Sequence, residues 1–254
     1  MEIFEPVIYP ENEIFLEYFN KYSDSVFIAF NPFFRINGEN NNQNYHLSSL
    51  KVNSETKSED KTLNYLIDSL GTNGKSIYFP NPDYPEFEEI VEKAEIIKWE
   101  TIKKECNFND YSELSIALRT SIGGLKKEYS RPDLCEKLTV FCENNKIWMP
   151  TEGSFNALVQ LEIKRILKLN GVLNVIVQNE FGDEKKEASV EELEDNIYYG
   201  IKNIYTISKN ILFTVDWDSF YFLFCSNREV IEKSLGWWEG FYCNEKTKHF
   251  WEIE

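Results

Sequence analysis

The sequence predicts an α+β chain, a mixed α/β fold in which helices cover a mixed, largely antiparallel sheet, and three observations predict it. Short apolar runs bounded by turn residues read as strands. Segments with apolar residues three and four apart read as helices. The two kinds alternate irregularly, with paired strands gathered near the end, which favours hairpins over a doubly wound parallel sheet. At 254 residues the chain is long enough to bury its own core. A single globular domain, 1–254, is expected; a subdivision near 145–150, into 1–148 and 149–254, is the alternative.

From the N-terminus, a short helical stretch at Glu11 to Phe19 precedes the apolar run Val26-Phe27-Ile28-Ala29-Phe30, a buried strand stopped by Asn31-Pro32. Asn37 to Asp60 is polar and reads as a long loop. Asp60 to Leu70 reads as a helix with Leu63, Leu66, Ile67 and Leu70 on one face and Gly71 as its stop. Ser76 to Phe79 is a strand. After the proline-rich corner Pro80 to Pro85, a helix carries Phe87, Ile90, Val91 and Ala94 inward.

Asp110 or Ser112 caps a helix through Leu118, and Arg131-Pro132-Asp133 opens another through Val140 and Phe141. Ile147 and Trp148 suggest a short strand. Ser154 to Leu169 is the clearest helix, terminated by Asn170-Gly171, and Val172 to Val177 is a strand. Ser189-Val190-Glu191-Glu192 fits a capping box and predicts a helix to about Tyr199. Ile211 to Val215 and Phe220 to Cys225 flank Asp216-Trp217-Asp218-Ser219 and predict a hairpin of interior strands. A helix from Asn227 to Leu235 leads into a tail where Phe241-Tyr242-Cys243 and His249-Phe250-Trp251 flank a polar stretch and suggest a second hairpin.

Composition excludes several function classes. The 43 acidic and 27 basic side chains leave a net charge of −16, spread along both halves, so a phosphate backbone or an anionic membrane surface would be repelled. The partners left are a protein or a small molecule. Five cysteines without paired close spacing describe reduced thiols rather than a disulfide framework or a zinc knuckle. No leader or membrane-length apolar run is present, so the expected location is the cytoplasm.

Trp148-Met149-Pro150-Thr151-Glu152-Gly153, Asn179-Glu180-Phe181-Gly182 and Ile211 through Asp218 resemble a family of unknown function from Gram-positive bacteria. Glu239 to Cys243 and Phe250-Trp251 extend the likeness, which covers roughly the C-terminal half. The resemblance implies a bacterial cytoplasmic protein and carries no activity with it.

Motif chemistry is sparse. There is no nucleophile elbow and no His-Glu-x-x-His pair, and the two histidines, His46 and His249, lack a neighbouring nucleophile motif. A thiol partner for His249 from Cys225 or Cys243 is conceivable, but cysteine on an apolar strand ordinarily acts as a small hydrophobe. Gly71 to Ser76 has two residues between its glycines where a phosphate loop needs four, so it reads as a helix stop and turn. Of Trp237 and Trp238, one is expected to face inward. No cofactor motif and no metal-ligand motif is written in the chain.

Candidate ligand-binding residues are therefore few. Asp216 and Asp218 share a face if the chain stays extended, and Glu180, two residues past another strand, joins them if the strand ends meet at one sheet edge. Such a group would suit a hard divalent ion or acid and base roles. The simpler role is structural, Asp216 accepting a bond from the backbone two residues on and building the turn. The function expected is a non-catalytic intracellular binding or interaction protein; a carboxylate-dependent hydrolase or transferase acting on a small molecule is the alternative.

Overall fold

The computed structural model describes residues 6–37, 49–53, 76–81, 83–193 and 200–253. The predicted helix at Asp60 to Leu70, the glycine turn that follows it, His46 and the stretch leading to Tyr199 lie outside the described residues. Of the predicted Asn37 to Asp60 loop, only Asn37 and Ser49–Asn53 are described, the latter as a strand.

The strands are β1 (Ser25–Phe30), β2 (Phe33–Ile36), β3 (Ser49–Asn53), β4 (Ser76–Pro80), β5 (Ala94–Ile97), β6 (Asn174–Gln178), β7 (Lys185–Ser189), β8 (Asn203–Tyr205), β9 (Ile211–Thr214), β10 (Tyr221–Ser226) and β11 (Gly240–Tyr242). The helices are α1 (Phe15–Phe19), α2 (Phe87–Lys93), α3 (Trp99–Glu105), α4 (Tyr111–Ile122), α5 (Pro132–Asn145), α6 (Ala157–Leu169) and α7 (Arg228–Ser234).

Seven strands form one sheet in the order β11-β1-β10-β9-β8-β6-β7. Every described pairing in it is antiparallel, as expected of a fold built from hairpins. Two further antiparallel pairs, β2 with β5 and β3 with β4, stand apart.

Helices cover both faces of the sheet, and this explains the unbroken apolar runs of its central strands. On one face Val26, Ile28, Phe30, Tyr221 and Leu223 meet Trp99 of α3, Leu114 and Leu118 of α4 and Leu138 of α5. On the other, Phe27, Phe213, Phe222 and Phe224 meet Val159, Ile163 and Ile166 of α6, Ile231 of α7 and Trp238. Each of these large side chains, removed from water, contributes about 1.5–3 kcal/mol. Trp238 is thus the inward member of the Trp237-Trp238 pair.

Local signals place the long helices. Asp110 caps α4 by accepting from the Glu113 amide at 3.0 Å, Pro132 opens α5, and Asn156 caps α6 by accepting from Val159 N at 2.9 Å. The predicted capping box at Ser189 forms, but it starts a 3-10 turn over Val190–Glu192.

The tail corrects an expectation. Phe241-Tyr242-Cys243 and His249-Phe250-Trp251 do not pair as a hairpin. β11 instead pairs with the free edge of β1, Phe27 opposite Tyr242 and Ala29 opposite Gly240, while Trp251–Ile253 forms a 3-10 turn. Gly240 permits that docking, because a Cβ there would stand 1.8 Å from Ile28 O. Trp148 likewise makes only an isolated bridge to Phe34 rather than a strand.

Candidate functional site

The site begins with the turn between β9 and β10, at the middle of the sheet. Val215 N donates to Lys202 O at 2.9 Å, Asp218 N to the Asp216 carboxylate at 3.5 Å and Ser219 N to Asp216 O at 3.3 Å. The Asp216 side chain therefore accepts from the backbone two residues on, as the sequence suggested. Gly153 locks the turn from outside: its N–H donates to Ser219 O at 2.8 Å. With φ at +57° and the Trp217 carbonyl oxygen 1.8 Å from where a Cβ would sit, only glycine fits.

Asp216 and Asp218 share one side of this turn, and the tail brings His249 to them. One ligating atom from each of the three lies within 4.8 Å of the others. His249 Nε2 is 3.4 Å from Asp216 Oδ2 and 3.9 Å from Asp218 Oδ1. Tyr221 holds the tail in place by donating its hydroxyl to the His249 carbonyl at 2.5 Å, and the Tyr9 ring meets the imidazole edge-on.

A buried cation anchors the cluster. Arg119 of α4, 0% exposed, donates to Asp218 Oδ2 at 3.0 Å and to Glu252 Oε1 at 3.1 Å, and its guanidinium lies 4.5 Å from the centre of the Phe250 ring. Burial, then the neighbouring Asp218, pushes the Asp216 carboxyl up to about 7. Burial, then Arg119, lowers His249 to about 4, with Asp218 opposing. Burial also raises Glu252, against the pull of Arg119.

Glu180 does not join this cluster. It lies half-buried in the turn after β6, and its charge acts on Lys202, as do those of Asp216 and Glu152. Burial is the largest influence on Lys202 and lowers its pKa, and the three carboxylates oppose it. Its ammonium donates to the Gly153 carbonyl.

Trp217, between the two aspartates, forms part of the wall of a cleft of about 650 Å³, which Asp216 and Asp218 do not line. Tyr84 and Phe87 supply further aromatic wall, and Glu152, Asn156 and Lys202 supply polar groups. Asn156 is 5% exposed and spends its Oδ1 on capping α6, while its Nδ2 has no hydrogen-bond partner. Asn31 fixes the adjoining loop by donating to Thr151 O at 3.0 Å and Ser154 O at 3.1 Å.

Sequence reasoning missed Arg119, Glu252 and the meeting of His249 with the acid pair. A signal existed for Arg119, a charge one residue from Leu118 and four from Ser115 on a helix whose buried face runs through both. Burial disfavours the thiolate that a Cys–His pair would need. Cys225 and Cys243 are buried, and burial pushes both thiols up, Cys243 to about 12.

These features define an α+β protein with a helix-covered antiparallel sheet and a buried acid–imidazole–guanidinium cluster at the end of its central strands β9 and β10. Residues 11–253 match the family of proteins of unknown function DUF2711, and the chain belongs to that family. It is similar to the uncharacterized protein YwbB of Bacillus subtilis (strain 168), 28% identical over 178 residues, which span 66% of this chain and 77% of that protein. The resemblance to a Gram-positive family of unknown function is thereby borne out, and it reaches well beyond the C-terminal half. No solved structure matches the chain.

Proposed function

We propose that this chain is an intracellular bacterial binding protein whose ligand is a small molecule held in the cleft beside Trp217. The observation that carries this reading is Asn156. A buried amide donor without a partner costs about 1–3 kcal/mol, and Asn156 belongs to the wall of a cleft large enough for a small ligand. The Lys202 ammonium adds positive charge, and Trp217, Tyr84 and Phe87 offer flat apolar surface. Such a lining suits a molecule with a hydrogen-bond-accepting head, a carbonyl or carboxylate, on a flat apolar body. The net charge of −16 opposes a nucleic-acid or anionic-membrane partner, and among the described residues no helix is long and apolar enough to cross a membrane.

A thermal-shift screen with aromatic carboxylates and amides tests the reading. Hits that stabilise the wild type and lose their effect in both Trp217→Ala and Asn156→Ala support it; hits that stabilise all three proteins equally refute it.

A second reading, the carboxylate-dependent hydrolase or transferase, is favoured by the convergence of Asp216, Asp218 and His249 behind the same turn. Its test is turnover. Incubation of a small-molecule extract with the wild type, but not with Asp218→Asn, would deplete one compound and yield one product.

A further inference from the structure

We propose that Asp216, Asp218 and His249 together bind one first-row divalent transition-metal ion of the manganese or zinc class. Two carboxylate oxygens and one imidazole nitrogen bound to a common ion at about 2.0–2.2 Å stand roughly 3.0–3.5 Å from each other. His249 Nε2 already lies 3.4 Å from Asp216 Oδ2 and 3.9 Å from Asp218 Oδ1, so small side-chain rotations complete the set.

Three independent features point to a cation at this place. His249 is 4% exposed, its Nε2 faces both carboxylates, and its Nδ1 has no hydrogen-bond partner. With its proton on Nδ1, a neutral imidazole turns the Nε2 lone pair toward the two carboxylates, where a cation can accept it. Asp218 Oδ1 is buried and receives no hydrogen bond, while Oδ2 of the same carboxylate is held by Arg119. One oxygen is fixed and the other presented, as second-shell partners do for metal-ligating carboxylates. Three carboxyl groups, those of Asp216, Asp218 and Glu252, also gather around the single guanidinium of Arg119, and a divalent ion would add positive charge in a region where water screens poorly.

The donor set chooses the class of ion. One imidazole with two carboxylates suits manganese, zinc or a neighbouring first-row ion, whereas calcium and magnesium favour oxygen-only sites. Asp216 and Asp218 keep 13% and 19% of their side chains exposed, which leaves one side open for the ion to enter and for water to fill the remaining coordination.

The inference does not rest on the cleft reading, because Asp216 and Asp218 do not line the cleft. Chelator-treated full-length protein is titrated with manganese chloride, with free ion followed by electron paramagnetic resonance, and with zinc chloride by calorimetry. One ion per chain is expected, weakened at least tenfold in Asp216→Asn and Asp218→Asn and unchanged in Glu180→Gln. No bound ion, equal affinity in the aspartate variants, or calcium and magnesium binding as tightly as manganese overturns the proposal. Should the aspartate variants fail to fold, a His46→Gln background leaves His249 as the one imidazole. Its carbon-bound proton resonances are then expected to shift on adding one equivalent of zinc, and unmoved resonances refute the site.

Discussion

The two sides of the Asp216 to Ser219 turn are built on opposite principles. Behind it, Arg119, Asp216, Asp218, His249 and Glu252 concentrate charge where little water reaches. In front, Trp217, 66% exposed, faces an open cleft with aromatic walls and the unpartnered Asn156 amide. Charge in low dielectric is either neutralised or costly, so the rear side must be tightly coupled to folding. An open cleft forms few contacts of its own, so its residues can change with little effect on stability. One four-residue turn thus divides a stability element from a recognition surface.

Arg119→Met breaks the rear side most severely, because it leaves Asp218 and Glu252 without their cation. A loss of about 3–5 kcal/mol is expected in urea denaturation, and a variant as stable as the wild type would show that the cluster is not an energetic unit. Gly153→Ala strikes the boundary itself. The left-handed backbone alone costs about 1–3 kcal/mol, and the Trp217 carbonyl must also move, so stability and cleft binding are expected to fall together. If only one of them falls, the turn does not connect the two sides.

Trp217→Ala probes the front side alone. Its unfolding free energy is expected to stay within about 0.5 kcal/mol of the wild type while cleft ligands weaken, and a large destabilisation would erase the distinction between the sides. Glu180→Gln should do least of all, changing stability by less than about 0.5 kcal/mol and leaving ion affinity unchanged, since Glu180 stands outside the cluster. A fall in ion affinity would return it to the acid group.

The unequal behaviour of these residues matches how visible they were in the sequence. β9 and β10 could be read because burial on both faces turns alternation into an unbroken apolar run, and the turn between them because Asp216 has a local acceptor role. β7, Lys-Lys-Glu-Ala-Ser, could not, since an edge strand carries charges that discourage further pairing and hides the usual signal. The tail misled because its aromatic triplets around a polar stretch imitate a hairpin, while its true partner, β1, lies more than two hundred residues earlier. Separation along the chain also concealed the site. Asp216 and Asp218 are two residues apart, but Arg119, His249 and Glu252 reach them only through the packing of α4 and the course of the tail, which no local pattern encodes.

The most direct test is anomalous diffraction from crystals grown with manganese and measured where that ion scatters anomalously. The account predicts one strong peak within about 2.0–2.3 Å of His249 Nε2 and of an oxygen from each of Asp216 and Asp218, with Arg119 still on the other oxygen of Asp218. Featureless density among the three side chains in ion-saturated crystals, or a peak only elsewhere on the acidic surface, would contradict it.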